Sequence, residues 1–419
     1  MVEFMMSGSG WLAILALLLG ALAILPGTLG ILMLTNRVAA TSGGARLIYE
    51  HSRILLWVSV VTMIMAWAQA IGTDHYPTTL IGVTVAYIGV LAFGFLMHTG
   101  LMFRPVEKPT FIPVSEALET FGPSEEVVGV VDPAGNPYAF IAVLARRPHI
   151  VQHTETEVPF MMTHCILSHS SMAYENSGAF ADPAIRITAA IANNMVFYDR
   201  RNRCSFTQLH NASEDGALQL KPLPSLMMSL GTWAQLYPDS KVWVRRRTWR
   251  DMFYLKVLSR ADVVDPSSPV LIYPLMHEKD DRLALKSLVL GVEVDGHERA
   301  YPLSVLQSEP VINDQLGSAP LLLVSAFEGD YAQVFSREVQ PGEALTFQSG
   351  PEAGLLVDAE TGSVWNIKGE CEKGQHKGHQ LAPVPHYNKI FWFAWADYHP
   401  GTDVYASTPE PAADHDESS

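Results

Sequence analysis

The sequence predicts three N-terminal transmembrane helices followed by an α+β, mainly β soluble region of two similar halves. Three observations predict it. Charge is nearly absent from the first quarter of the chain. Long apolar runs fill that quarter. Beyond it, short blocks of sequence recur in the same order about 160 residues apart.

Charge comes first. The 419 residues carry a net charge of −15, with 48% hydrophobic and 17% charged side chains. Mean hydropathy is +0.14, high for a wholly soluble protein. Residues 1–107 hold only Arg37, Arg46, Arg53 and Arg104 against Glu3, Glu50, Asp74 and Glu107, and no lysine. The whole excess of acid therefore belongs to residues 108–419. Such a surface repels phosphate backbones, so nucleic acid is not expected as a partner. Three cysteines do not make a disulfide framework.

The apolar runs follow. Trp11 to Leu34 contains 24 residues without charge and Ile54 to Gly72 contains 19. Thr79 to Gly100 is a third run, interrupted by His98. A helix needs about 20 apolar residues to cross the hydrocarbon core. Helices are expected over 11–34, 54–72 and 79–100, making 1–106 a membrane domain. A cleaved leader is a poorer reading of the first run, which has no basic stretch before it and two further runs behind it. The connection between the first two helices holds Arg37, Arg46 and Arg53, and the next holds Asp74 and His75. The positive-inside rule puts the basic connection, and with it the soluble region, in the cytoplasm.

The repeat organises the rest. VVGVVDPAGNPYAFIAVL from Val127 parallels VLGVEVDGHERAYPLSVL from Val289. Pro148 matches Pro310, and VPFMMTHCILSHSSMAY matches APLLLVSAFEGDYAQVF, so Cys165 faces Ala326. Asp199 pairs with Asp358, Phe206 with Trp365, and Cys204 with Ser363. LKPLP matches LAPVP, and WAQLYPDSKVW matches WADYHPGTDVY. The expected units are a first half over 107–250, a linker over 251–287, a second half over 288–406, and a disordered acidic tail over 407–419. Within each half, Val127–Val131 and Leu288–Val294 read as strands followed by Asp-Pro-Ala-Gly-Asn and Asp-Gly turns. Leu321–Ser325 and Tyr331–Phe335 read as a strand pair. Ser115–Phe121 and the stretches around Trp233 and Trp395 read as short helices.

Several blocks carry a family resemblance. FIPVSEAL at 111–118, DDRLALKSLVLGV at 280–292, GVEVDGHERAYPLSVL at 291–306, DAETGSVW at 358–365 and FWFAWADYHPGTDVY at 391–405 resemble the bacterial family known as the domain of unknown function numbered 3179. The departures are His164-Cys165-Ile166-Leu167 in place of Tyr-Cys-Pro-Leu, and Ser168 in place of a second cysteine. The family supplies no activity. Its members look secreted or lipid-anchored, which implies an extracytoplasmic domain at a bacterial inner membrane, against the charge rule. The side of the membrane stays open.

Four groups of residues offer chemistry. His149, His153, Met161, Met162, His164, Cys165, His169 and Met172 combine thiolate, imidazole and thioether, the donors that suit copper. Cys165, His164, His169 and Met172 are the metal candidates among them. If Phe160–Cys165 is a strand, His164 and Cys165 point to opposite faces. The bland reading makes the methionines and Cys165 core. Cys371, His376, His379 and His386 form a second set in what reads as an exposed loop. Nucleophilic catalysis by Cys165 with His164 or His169, or by Ser168 or Ser170, is a third, and no G-x-S-x-G elbow accompanies it. The aromatics Phe391, Trp392, Phe393, Trp395 and Tyr398, with Trp233 and Tyr237, are a fourth, suited to stacking a ligand or to filling a core. The turn Asp358, Thr361, Ser363 and Trp365 is a further candidate site. The leading expectation is a membrane-anchored binding or accessory module with a membrane-protein partner. A copper-binding or redox protein is the alternative, with a hydrolase below it.

Overall fold

The computed structural model describes residues 7–29, 42–72, 78–96, 102–213, 216–258 and 261–406. Helices α1 (Gly8–Leu29), α2 (Ser42–Gly72) and α3 (Thr78–Leu96) pack together. Small residues let them approach closely. Ala13, Ala16, Ala66 and Ala70 are buried in their shared contact with Met63, Leu80 and Tyr87. A Cβ on Gly94 would fall 2.4 Å from Ile24. Two polar contacts tie the interior, Ser59 Oγ to Tyr87 Oη at 2.9 Å and Trp67 Nε1 to Thr84 Oγ1 at 3.0 Å. Trp11, Leu18, Trp57, Ile64, Val85 and Phe95 point outward.

Two segments, His51–Gly72 and Thr78–Leu96, are long and apolar enough to cross a membrane. Among the described residues the stretch Gly8–Ile24 of α1 is shorter, so two such helices are supported there where three were expected. The ends of the expected spans at 30–34 and 97–100, and the expected tail at 407–419, lie outside the described residues. Helix α2 starts earlier than expected, which places Arg46 and Arg53 in the helix instead of the connection before it.

The soluble region is mainly β. From Thr110 its strands are β1 (Thr110–Pro113), β2 (Glu126–Val131), β3 (Pro137–Ile141), β4 (Ile150–His153), β5 (Phe160–Cys165), β6 (Ser170–Glu175), β7 (Ile185–Ile191), β8 (Asn194–Asp199), β9 (Cys204–Thr207), β10 (Lys221–Leu223), β11 (Ser225–Ser229) and β12 (Lys241–Val244). After them come β13 (Leu288–Val294), β14 (His297–Pro302), β15 (Val311–Leu316), β16 (Ala319–Ala326), β17 (Tyr331–Ser336), a ribbon of β18 (Glu338–Gln340) and β19 (Glu343–Ala344), then β20 (Phe347–Ser349), β21 (Leu355–Asp358), β22 (Val364–Asn366), β23 (Cys371–Lys373), β24 (Tyr387–Phe391) and β25 (Asp403–Val404). Short helices punctuate them: α4 (Val114–Phe121), α5 (Ala142–Ala145), α6 (Leu230–Leu236), α7 (Trp249–Leu258), α8 (Ala261–Val264), α9 (Leu303–Ser308) and α10 (Trp392–Tyr398).

One sheet runs β1-β12-β3-β2-β11 and another runs β24-β13-β14-β25. In the first, β11 meets β2 antiparallel, β2 meets β3 antiparallel, and β3 meets β12 parallel. In the second, β24, β13, β14 and β25 follow the same three senses in the same order. The crossover helix is α6 in one and α10 in the other. Each helix lays a tryptophan across a glycine of an inner strand, β2 in one sheet and β13 in the other. A Cβ on Gly129 would stand 2.1 Å from Trp233, and one on Gly291 would stand 2.4 Å from Trp395. The indole of Trp233 donates to Ser240 Oγ at 2.9 Å, and that of Trp395 donates to Thr402 Oγ1 at 2.8 Å. Only glycine leaves room for a ring to lie this close to the strand. Burying such a ring removes on the order of 200 Å² from water, roughly 5 kcal/mol of gross hydrophobic stabilisation.

The remaining sheets of three or four strands are β10-β6-β5-β4, β7-β8-β9, β15-β16-β17 and β20-β21-β22-β23. The hydrophobic clusters cross from one part of the chain to the other. One joins Val128, Phe140, Met227 and Trp233 to Leu322, Tyr331, Phe335 and Trp365. A second joins Met161, Cys165, Tyr174 and Phe197 to Val289, Tyr387, Trp392 and Trp395. The stretch expected as a linker is tied down as well: Asp397 accepts from the backbone N–H of Met276 and His277, and Asn193 accepts from those of Ile272 and Tyr273.

Candidate functional site

The two parts of the soluble region meet where β6 lies against β24. The local conformation there is unusual. Opposite β13, strand β24 pairs Tyr387 with Gly291 and Ile390 with Val289, so Asn388 and Lys389 both stand against Leu290. The extra residue is a bulge, and Lys389 takes φ 53° to make it. No such shift interrupts β11 against β2. Across the seam, His169 ends the turn between β5 and β6 with φ 49°. Left-handed backbone at two non-glycine residues costs on the order of 1 kcal/mol each and persists only where the surroundings hold it.

They hold each other. Nδ1 of His169 donates to the carbonyl of Lys389 at 2.7 Å, and its Nε2 lies 3.5 Å from the Glu126 carboxylate. The Lys389 ammonium donates to Asp330 at 2.9 Å. Asp330 also accepts from the backbone N–H of Ser229 at 3.0 Å. A chain of charge thus runs Glu126, His169, Lys389, Asp330 across the seam. Burial opposes the charged ring of His169, but the hydrogen bond and charge of Glu126 overcome it and raise its pKa. Burial likewise disfavours the Glu126 carboxylate, and His169 overcomes that and lowers its pKa. The imidazole is 24% exposed and the carboxylate 38%.

The sequence candidates separate around this seam. Strand β5 is buried along its whole length, and alternation sends its neighbours opposite ways. Nδ1 of His164 lies 2.9 Å from Ser171 Oγ. The Cys165 thiol goes the other way, into the cluster with Trp392 and Tyr398, and reaches the Asn193 carbonyl at 3.7 Å. Burial, with the nearby charge of His169, pushes His164 down to about 3. Burial pushes His149, whose Nδ1 donates to the His164 carbonyl, down to about 4. Met172 is buried on β6. Among the described residues no group of three His, Cys, Asp or Glu side chains is placed to hold a metal ion. Ser168 and Ser170 are fully buried and committed: their hydroxyls bond each other at 2.8 Å, and Asn194 and Gln208 close the network with Thr163. Sequence reasoning missed Gln208 and Asn194, which no local motif marks.

The remaining candidates are placed as follows. Asp358 is fully buried and holds its own turn, accepting from the Thr361 N–H and hydroxyl at 2.6 and 2.7 Å and from Trp365 Nε1 at 2.9 Å. Burial raises its pKa, and these donors more than reverse that, so it lies below the ordinary carboxylate value. Ser363 lies 2.6 Å from Thr361 Oγ1 and accepts from the His376 N–H. The segment read as an exposed loop is exposed only in part. Cys371 is buried in β23, His386 is buried, and the ring of His376 lies 5.9 Å from that of Trp365. Burial pushes the Cys371 thiol up, away from the thiolate. Phe391, Trp392, Phe393, Trp395, Tyr398 and Trp233 are all core, with Tyr237 packed against them at Trp233.

A cavity of about 340 Å³ opens beside the same seam. Met172, Asn211 and Pro222 line one side, and Glu293, Asp295 and Tyr387 line the other. Tyr387 Oη donates to Asn211 at 3.3 Å across it. Among the described residues no basic side chain lines it and neither carboxylate is in an ion pair.

Comparison with known proteins adds one result. A family model described as "Protein of unknown function (DUF3179)" matches residues 104–402. No curated protein and no solved structure matches the chain.

Proposed function

The chain belongs to the DUF3179 family, and from that premise we propose a membrane-anchored binding module of a bacterial inner membrane, whose ligand site is the cavity between two duplicated halves. The observation that carries the reading is the cavity itself. Its walls come from both parts of the chain, it is of a size that suits a small metabolite, and polar groups converge on it among apolar ones. Glu293 and Asp295 supply negative charge and Asn211 an amide, while Tyr387 and Met172 line the cavity with almost no exposed surface of their own. That chemistry favours a small organic cation, such as an amine or ammonium compound. The two apolar helices would hold the cavity at the membrane surface, where an accessory subunit of a membrane complex works.

Duplication is supported by the matching order and sense of β11-β2-β3-β12 and β24-β13-β14-β25, and by the paired glycines and tryptophans. The aligned pairs also fall at like places. Cys165 and Ala326 end β5 and β16, and Asp199 and Asp358 end β8 and β21.

Calorimetric titration of the full chain in detergent tests the ligand site. Putrescine and choline are the probes, with butane-1,4-diol as the uncharged control. Saturable binding of a cation is expected, weakened about tenfold or more by Glu293→Gln with Asp295→Asn, since a charged hydrogen bond is worth about 1.5–3 kcal/mol. Equal binding of the diol, no binding of either cation at millimolar concentration, or affinity untouched by the two substitutions refutes the reading.

A further inference from the structure

One charged and apolar surface lies outside the cavity. In a chain of net charge −15, the stretch KVWVRRRTWRDMFYLK at 241–256 carries six basic residues and one acid. Arg246, Arg247, Arg250 and Lys256 are exposed. None of the four is in an ion pair among the described residues. Helix α7 then turns its apolar side outward. Trp249, Met252 and Phe253, at i, i+3 and i+4, form one stripe and are 66%, 63% and 42% exposed. The opposite stripe, Asp251 and Tyr254, is buried. A water-exposed helix is built the other way round.

Its placement is fixed from the buried side. Thr248 caps the helix, its N–H and hydroxyl donating to Asp251. Arg147 and Arg245 both pair with Asp251. Arg147 also donates to the Met102 carbonyl, and its guanidinium lies 5.0 Å over the Tyr254 ring. The Tyr254 hydroxyl donates to the carbonyl of Leu96, the last residue of α3. The exposed Trp, Met and Phe are therefore held at the level where the third apolar helix ends.

We infer that α7 is an interfacial membrane element: Trp249, Met252 and Phe253 enter the headgroup region of the bilayer that α2 and α3 cross, and Arg246, Arg247, Arg250 and Lys256 bind anionic lipid headgroups. This rests on the membrane-anchored reading above and adds a second, lipid-specific contact to it. Tryptophan and arginine together suit that depth, because the ring is amphipathic and the arginine head reaches outward to phosphate. Each basic residue near an anionic surface strengthens the hold about fivefold. A bilayer is favoured over a protein as the occupant because the hydrogen bond to Leu96 places the stripe at the edge of the membrane region.

The test uses the full chain in vesicles of phosphatidylcholine with phosphatidylglycerol, with or without lipids brominated just below the headgroup. Trp233, Trp243, Trp365, Trp392 and Trp395 are fully buried in the soluble region, so bromine reaches only the tryptophans of the apolar helices and Trp249. The Trp249 share is the wild-type emission minus that of Trp249→Phe. It is expected to be quenched by bromolipid, and to escape quenching when Arg246, Arg247 and Arg250 are all changed to Glu or when phosphatidylglycerol is left out. A Trp249 share equal in brominated and plain vesicles overturns the inference, including the case where a protein shields the ring. Quenching of Trp11 and Trp57 in the same samples reports the anchor separately; its absence would overturn the anchored reading itself.

Discussion

Alanine at Gly129 or Gly291 is the sharpest probe of this architecture. In each case the new methyl would meet a fully buried tryptophan, at 2.1 Å from Trp233 or 2.4 Å from Trp395. Carbon atoms in contact sit about 3.5–4.0 Å apart, so each ring would have to retreat by more than an ångström. Neither ring is free to do so. Trp233 is tied to Ser240 and Trp395 to Thr402 through the indole N–H, and moving the ring stretches that bond. Overpacking costs about 1–3 kcal/mol, and a buried donor left without its acceptor costs about 1–3 kcal/mol more. Each substitution is therefore expected to destabilise by about 2–6 kcal/mol. Near-UV circular dichroism during urea unfolding of the full chain in detergent reads it. Trp233→Phe should soften Gly129→Ala, and Trp395→Phe should soften Gly291→Ala, because the smaller ring relieves the clash; the exchanged pairs should not couple. If either glycine accepts alanine for less than about 0.5 kcal/mol, the close stacking argument fails. If only one of the two is costly, the equivalence of the two halves fails.

Three further outcomes are expected. His149, His164 and His386 are buried neutral, with burial holding them at about 4, 3 and 4 against 6.5 unfolded; their stability contribution is full above pH 6.5 and falls as the pH drops toward those values, by about 2 kcal/mol each between pH 7 and pH 5. Urea unfolding at the two pH values should show His164→Gln lowering that loss by one share, and an unchanged loss would contradict it. Asp330→Asn should destabilise by about 2–4 kcal/mol by stranding the Lys389 ammonium, which is only 10% exposed, whereas Asp330→Asn joined with Lys389→Met should cost less in the same assay; a double variant worse than the single one would refute the clasp. Cys165→Ala should cost about 1 kcal/mol and leave metal content unaltered by elemental analysis, and stoichiometric copper lost in both Cys165→Ala and His169→Ala would restore the redox reading.

Much of the fold is legible in local pattern. The strands at Val127 and Leu288 announce themselves by β-branched runs ended by Asp-Pro and Asp-Gly, those at Leu321 and Tyr331 read as a strand pair, and β13, β16 and β17 follow these stretches closely. The stretches around Trp233 and Trp395 read as short helices and form α6 and α10, but the glycine that each ring covers lies far upstream and nothing local marks it. The seam is not legible, because its members are remote: Glu126 and His169 meet Lys389 and Asp330 only after both parts fold. Cys165 and His169, four residues apart, look like partners in the sequence and are parted by the alternation of β5 and the turn after it. The acidic lining of the cavity had a signal, the Asp295-Gly296 turn, but nothing local says that Asn211 and Tyr387 close over it. The sequence pattern divides α7 between the end of one half and the start of a linker, because its mixed apolar and basic composition explains itself only beside Leu96.

That helix also bears on the side of the membrane. If α2 and α3 cross the bilayer, the segment that precedes the α2 span and the end of α3 share one face. Arg37 and Arg46 lie there, with Arg104 and Lys108 just beyond α3. Folding adds Arg246, Arg247, Arg250 and Lys256 to the same level, which a count along the chain misses because they stand some 150 residues later. The sequence between α2 and α3, which faces the other side, has Asp74 and His75 and no lysine or arginine. Basic residues close to the bilayer keep to the cytoplasmic side, where the leaflet is rich in anionic lipid. The soluble region is therefore expected in the cytoplasm, against the placement that the family resemblance implies. A fluorescent protein fused after Ser419 should glow and alkaline phosphatase at the same place should be inactive. Active phosphatase would put the basic helix against an outer surface, and then the weighting of folded over sequential neighbours is the step that is wrong.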